Sequence, residues 1–219
     1  MKKSIILINK NSFVFNYQEY GFDRINEIVA LFKPRLKIII LEENLYVKQF
    51  TNNVKRHKIH EFVDNKINND FPQTGDLLYH FEKNNNVIAI YSIKGAKRIE
   101  RLSITSNSLE IKPIQFIIRE IMQKILKRND FNANVVLKLN KVYYFTCFKN
   151  GLFNYGFVGE NEDSILNEIN NFEEIYTDNN DFDVFSSKKK IKIIKLNMGD
   201  LINEKVYEKQ KFHSRKILL

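Results

Sequence analysis

The segment Leu109–Glu160, LEIKPIQFIIREIMQKILKRNDFNANVVLKLNKVYYFTCFKNGLFNYGFVGE, changes its hydrophobic period twice. Leu109 to Ile111 reads as a short strand. Pro113 falls in the first turn of a helix, where a missing N–H costs nothing, and Ile114, Ile117, Ile118, Ile121 and Ile125 recur along one face as far as Lys127. Arg128-Asn129-Asp130 ends that helix. Asn134 to Leu139, Val142 to Phe148 and Leu152 to Val158 then form three strands joined by Asn140-Lys141 and Lys149-Asn150-Gly151, which makes a meander. An apolar helix thus leads from one pattern of elements into another.

Upstream, Lys3 to Tyr17 reads as two strands around the turn Asn9-Lys10-Asn11. Phe22, Ile25, Ile28, Val29 and Phe32 keep helical spacing until Pro34, which cannot donate to the helical ladder. Leu36 to Leu41, broken only by Lys37, is an apolar run of the kind buried on both faces. Leu45 to Phe50 is another strand, after the turn Glu42-Glu43-Asn44. Ile59, Phe62, Val63 and Ile67 mark a second helix, closed before Phe71-Pro72. Leu77 to Glu82 and Val87 to Ser92 flank Lys83-Asn84-Asn85-Asn86 as a hairpin, and a helix from Ala96 to Ser106 completes this half. Downstream, Asn161 can cap a helix bearing Ile165, Leu166, Ile169 and Phe172. Asp178-Asn179-Asn180-Asp181 reads as a loop and Lys190 to Leu196 as the last strand, while Leu201 to Leu219 reads either as helix or as a fraying end. Two halves repeat one theme, and no short fixed period points to a solenoid or propeller.

Composition narrows the class. The chain has 219 residues, 43% of them hydrophobic, with 18 Phe and 10 Tyr, enough for one large domain or two small lobes and too much apolar surface for a disordered chain. A charged share of 28% and negative mean hydropathy exclude a membrane-embedded chain. The single cysteine, Cys147, removes any internal disulfide framework and points to a cytosolic setting. The apolar run Ile5 to Ile8 behind Met1-Lys2-Lys3 is too short for a secretory signal. A net charge of +9 invites nucleic acid or anionic lipid. Most of that excess is scattered lysine; the real clusters are Lys188, Lys189 and Lys190 and the tail with Lys209, Lys211, Arg215 and Lys216.

No catalytic, cofactor-binding or metal-binding residue is expected. His57 and His60 lie three apart with Glu61 beside them, but the order fits no zinc-peptidase helix and Lys55, Arg56 and Lys58 repel a cation. Asp178, Asp181 and Asp183 share a loop that lacks the Gly and the Glu of a calcium hand. Cys147 has no neighbouring base and reads as a structural thiol. Nucleophile elbows and glycine-rich phosphate loops are missing. Tyr143, Tyr144, Phe145, Phe148, Phe153, Tyr155 and Phe157 occur at both strand parities, which suits core packing better than base stacking.

Several phrases together resemble the actin-like cytoplasmic scaffolds of type IV pilus and type II secretion machines, the PilM and GspL cytoplasmic-domain group. They are Ile67-Asn68-Asn69-Asp70-Phe71-Pro72 followed by Asp76 to Phe81, then Val87 to Ser92 with Lys94 to Leu102, and Leu109 to Ile114 leading into the long helix. Asn134 to Phe148, Asn150-Gly151-Leu152-Phe153 and Asn161 to Phe172 complete them. The resemblance implies a two-lobed α+β fold with mixed sheets flanked by helices, lobes at 1–112 and 113–219, the second opening on the inter-lobe helix and ending in the basic tail. It implies a non-enzymatic cytoplasmic scaffold of a pilus, a competence pseudopilus for DNA uptake, or a secretion machine, peripheral on the inner face of the cytoplasmic membrane. Its partners would be a bitopic membrane protein, an assembly ATPase and, through the basic clusters, an anionic membrane surface. Nucleotide-binding members carry Asp and Gly in the first hairpin turn of each lobe, where amides wrap phosphates and the carboxylate holds a metal through water. Here those turns read Asn9-Lys10-Asn11-Ser12 and Leu139-Asn140-Lys141-Val142, so no nucleotide is expected. A basic nucleic-acid-binding protein and a divergent actin-like ATP-binding protein are the alternatives.

Overall fold

The computed structural model describes residues 3–51, 53–169, 172–178 and 191–207. The opening apolar segment forms β1 (Ser4–Ile8), which pairs antiparallel with β2 (Ser12–Phe15), itself antiparallel to β3 (Gln18–Gly21). After a 3-10 turn and the short helix α1 (Ile25–Val29), the chain returns as β4 (Arg35–Ile40), parallel to β1. Five consecutive residues of β4 are buried, Lys37 among four apolar ones, because helices and sheets cover both its faces. An excursion follows, made of β5 (Tyr46–Thr51), α2 (Ile59–Asp70), β6 (Leu77–Asn84) and β7 (Val87–Lys94), with the three strands in the order β5-β7-β6. Then come α3 (Ala96–Ser103) and β8 (Ser108–Pro113), parallel to β4, which closes a sheet of order β3-β2-β1-β4-β8.

The inter-sheet helix α4 (Ile114–Leu126) leads to the meander β9 (Ala133–Leu139), β10 (Val142–Lys149) and β11 (Leu152–Gly159). Beyond it lie α5 (Glu162–Ile169), β12 (Glu174–Asp178), β13 (Lys192–Leu196) and α6 (Gly199–Tyr207). The second sheet runs β11-β10-β9-β12-β13, with β9 parallel to β12 and β12 parallel to β13. Strand for strand, order and direction match those of the first sheet. In both halves a meander, a crossover helix and two parallel strands build the sheet, and α4 and α6 follow the last strand of each.

The two halves share one core. Ile6 and Ile38 of the first sheet, Val135 and Tyr144 of the second, Ile117 and Ile121 of α4, and Ile202 of α6 all belong to a single buried cluster. The rest of the apolar surface is covered locally: α5 packs on the outer face of the second sheet around Val136 and Phe145, and α2 packs on the three-stranded sheet around Val63 and Ile90.

Three expectations need correction. Pro113 is not inside the first turn of α4 but caps it with extended geometry, still paired as the last residue of β8. The buried face of α4 is wider than an isoleucine stripe, since Gln115, Phe116 and Met122 are buried as well, because the helix lies between layers. Strands β3 and β12 carry no apolar run that would announce them. They form because β2 and β9 offer them open edges, as in the Tyr176–Val135 pairing. Four hairpins turn on an asparagine at φ near +50°, namely Asn16, Asn85, Asn140 and Asn150. Asparagine tolerates that left-handed region better than most side chains, which is why Asn-Lys and Asn-Tyr can stand where Asn-Gly is usual.

Candidate functional site

Of the two hairpin turns that would hold phosphates, the first is occupied by the protein's own groups and the second is too tight to wrap one. In the β1–β2 turn, Lys10 N donates to Glu42 Oε2 at 3.0 Å, so a side-chain carboxylate already sits on the amide that a phosphate would seek. Arg98 Nη1 donates to Asn9 O at 3.1 Å and Lys10 O at 3.0 Å, while its Nη2 meets Glu43 Oε1 at 2.6 Å. Both partners of that ion pair are mostly buried, and the Phe22 ring lies under the guanidinium at 5.7 Å. The β9–β10 turn has only two central residues, Asn140 at φ 51° and Lys141 at φ 70°, a type I′ geometry that leaves no loop to wrap an anion.

The segment Glu42-Glu43-Asn44 also ties the halves together. Glu42 N donates to Tyr144 Oη at 3.2 Å, Val158 N donates to Asn44 Oδ1 at 2.9 Å, and Gln115 Nε2 donates to Glu43 O at 2.9 Å. Burial pushes the Tyr144 phenol up, so this bridge stays neutral.

A second constellation lies between the excursion and the first sheet. A groove of about 320 Å³ is walled by β6, β7, β8 and the start of α4, with Leu78, His80, Ile111 and Phe116 among its lining residues. Its polar centre is a bidentate fork: Arg119 Nη1 and Nη2 donate to the two carboxylate oxygens of Glu82 at 2.5 and 2.6 Å. Tyr91 Oη donates to Glu82 Oε2 at 3.1 Å, and His80 Nε2 stands 3.8 Å from Oε1. Phe116 supports the guanidinium from 4.7 Å and meets Tyr91 edge-on. Burial by itself would raise the Glu82 carboxyl, but the nearby His80, the hydrogen bonds and charge of Arg119 and the Tyr91 hydroxyl outweigh it and hold it at about 2. Arg119 Nε is buried without a partner among the described residues. Strands β6 and β8 are each the last of their sheet, so each leaves one backbone edge unpaired among the described residues.

Among solved structures, a Bacteroides thetaiotaomicron protein with an actin-like ATPase fold and unknown function matches 93% of this chain and 94% of its own, with TM-score 0.58 at 10% identity. The fold is actin-like. The cytoplasmic domain of EpsL, an inner-membrane component of the type II secretion system of Vibrio cholerae, matches with TM-score 0.52 at 8% identity over 93% of each chain. A likeness to the PilM–PilN type IV pilus biogenesis complex, TM-score 0.49 at 9% identity over 78% of this chain and 66% of that one, is too weak to argue from. No protein-family model matches the sequence and no curated protein matches it.

Within this actin-like frame the residues singled out by sequence scatter. Lys188, Lys189, Lys190, Lys209, Lys211, Arg215 and Lys216 lie outside the described residues, as do Asp181 and Asp183. Asp178 is buried, and its Oδ1 accepts from Met198 N at 2.7 Å and Gly199 N at 2.9 Å, so it satisfies two amides at the start of α6. Asp178→Ala should therefore cost about 1 to 2 kcal/mol in urea unfolding, with Asp178→Asn keeping most of the stability. His57 is exposed, and His60 sets its ring edge-on to Phe81 at 5.3 Å. Cys147 is half-buried, and burial raises its thiol. Tyr143, Tyr144, Phe145, Phe148 and Phe153 are buried, because the second sheet is covered on both faces; Tyr155 is exposed.

Sequence reasoning missed Arg119 and Glu82. A signal was present: Gln115 and Arg119, four apart, fall on one flank of the helix among the apolar Ile114, Phe116 and Ile118, and polar residues there need partners.

Proposed function

We propose that this chain is a non-enzymatic cytoplasmic scaffold of a pilus, competence pseudopilus or secretion machine, and that it docks a short extended segment of a bitopic membrane protein in the groove beside β6 and β8. The observation that carries this reading is the groove itself. Two unpaired strand edges offer main-chain hydrogen bonds to an extended peptide, apolar walls offer side-chain pockets, and the Arg119–Glu82 fork is a rigid polar anchor between them. The likeness to an inner-membrane secretion component's cytoplasmic domain supports the same direction. The occupied first turn and the two-residue second turn support a scaffold over an ATPase.

Two experiments test it. A photo-crosslinking amino acid at Leu78 should trap, in cells, the cytoplasmic segment of a single-span membrane protein, and the protein should fractionate with membranes only when that partner is present. Recovery in the cytosol in both strains, or co-purification with DNA, would sink the scaffold in favour of the nucleic-acid reading. Titration calorimetry with ATP and magnesium should give no binding heat. Affinity in the micromolar range, lost on changing Asn11 or Asn140, would revive the ATP-binding alternative.

A further inference from the structure

Strands β1, β4 and β8 all begin at one end of the first sheet. The register pairs Ser4 with Leu36 and Leu36 with Leu109. Lys33 N donates to Ser4 Oγ at 2.9 Å, and Asn107 N and Ser108 N donate to Pro34 O at 2.7 and 3.2 Å. Residues 30–35 and 103–109, which follow the mutually packed helices α1 and α3, therefore lie side by side.

These two segments present an unusual surface. Leu31 is 62% exposed, Ile104 79% and Leu109 40%, three of the most exposed large aliphatic side chains described. Lys33, Arg35 and Arg101 are exposed among them. There is no Asp or Glu from Ile28 to Leu41 or from Arg101 to Leu109, and of the carboxylates that adjoin these stretches Glu27 is paired with Arg24 and Glu110 with Lys3 and Lys112. Neither Lys33 nor Arg35 makes an ion pair with any described residue. Between the aliphatic tips, the exposed Thr105, Asn107 and Ser108 supply polar side chains.

We propose that this end of the first sheet is a lipid-facing surface that seats the protein on an anionic bilayer. Charge complementarity selects that occupant. Aliphatic tips enter the headgroup and acyl boundary, flanking cations take the phosphates, and the marginal carboxylates Glu27 and Glu110 are already paired with cations. A nucleic acid would meet the cations but gain nothing from Ile104 or Leu31. The described chain also ends nearby: Lys37 Nζ donates to Lys205 O at 3.4 Å, two residues before the end of α6, and the sequence continues into Lys209, Lys211, Arg215 and Lys216. The inference rests on the membrane-side reading above but not on the groove, since it needs no protein partner.

The test uses the full chain and large unilamellar vesicles without any partner. One set is phosphatidylcholine alone, the other contains phosphatidylglycerol at about one lipid in three. The protein should sediment with the anionic vesicles only, and less so as salt rises. Lys33→Glu and Arg35→Glu should each weaken binding about fivefold or more, and Leu31→Asn and Ile104→Asn, made separately, should each weaken it at unchanged melting temperature. A groove variant should bind vesicles normally, so loss of docking and loss of lipid binding are separable. Absence of binding by the wild type overturns the proposal. So does binding unchanged in all four variants, which would assign it to the tail, or a change in self-association of the Ile104 variant, which would make the patch a contact between copies.

Discussion

Glu82→Ala should lower the unfolding free energy by about 2 to 4 kcal/mol at neutral pH, because it strands the Arg119 guanidinium in a site built to neutralise it. The expected loss lies below the upper end for fully buried pairs because the Glu82 side chain keeps 25% of its exposure. The sign of the pH dependence follows from the depressed carboxyl. Its folded value of about 2 lies below the ordinary value of 4.5, so the stabilisation is fully present above that ordinary value and is lost as pH falls through about 2. Glu82→Gln keeps the shape and removes the charge; it should lose comparable stability at neutral pH and show a flatter acid limb. Urea titrations at several pH values measure both. If the pair mainly orders the groove, replacing both partners by methionine should restore much of the stability while still abolishing docking, since apolar pairs of similar volume often match buried ion pairs in stability. Wild-type docking by that double variant would remove the fork from the recognition mechanism.

Hydrophobic period carried the fold wherever burial is one-sided or complete over a run. The strands at Leu36 to Leu41 and Val142 to Phe148, the helix at Ile59 to Ile67 and the connecting helix are legible for that reason. Strand β12, Glu-Ile-Tyr-Thr-Asp, has acidic ends and only short alternation, yet it is the parallel strand joining β9 to β13. What makes it a strand is hydrogen bonding to residues about 40 positions away, a cause no local window contains. Strand β3 is similar, with an edge position that spares it an apolar face.

The candidate site was less legible still. Arg119 and Glu82 are 37 residues apart, and Glu42 meets Tyr144 across 102. From the sequence, Glu42-Glu43-Asn44 is an acidic turn; in the fold its carboxylates and amide are committed to Lys10, Arg98 and Val158. The missing Asp and Gly of the two hairpin turns could be read directly. The groups standing in their place could not, since that depends on which distant side chains the duplicated topology brings to the turn.

Ile121→Ala should cost about 2 to 5 kcal/mol, and the shared core argues for the upper half of that range. The side chain is 1% exposed and belongs to the cluster that contains both five-stranded sheets, with α6 packed against its helix. A cavity there is bounded by layers that already touch one another elsewhere, so neither can move in to fill it without loosening its other contacts. Ile121→Val removes one methylene and should cost about 0.5 to 1.5 kcal/mol. Lys124→Ala, one turn further on and exposed, should stay within about 0.5 kcal/mol. Denaturant melts of the three variants give the series. A near-neutral Ile121→Ala would take the helix out of the core and with it the connection between the halves. If instead the variant splits one transition into two, the halves fold as separate units, and Ile121 contributes chiefly to the coupling between them.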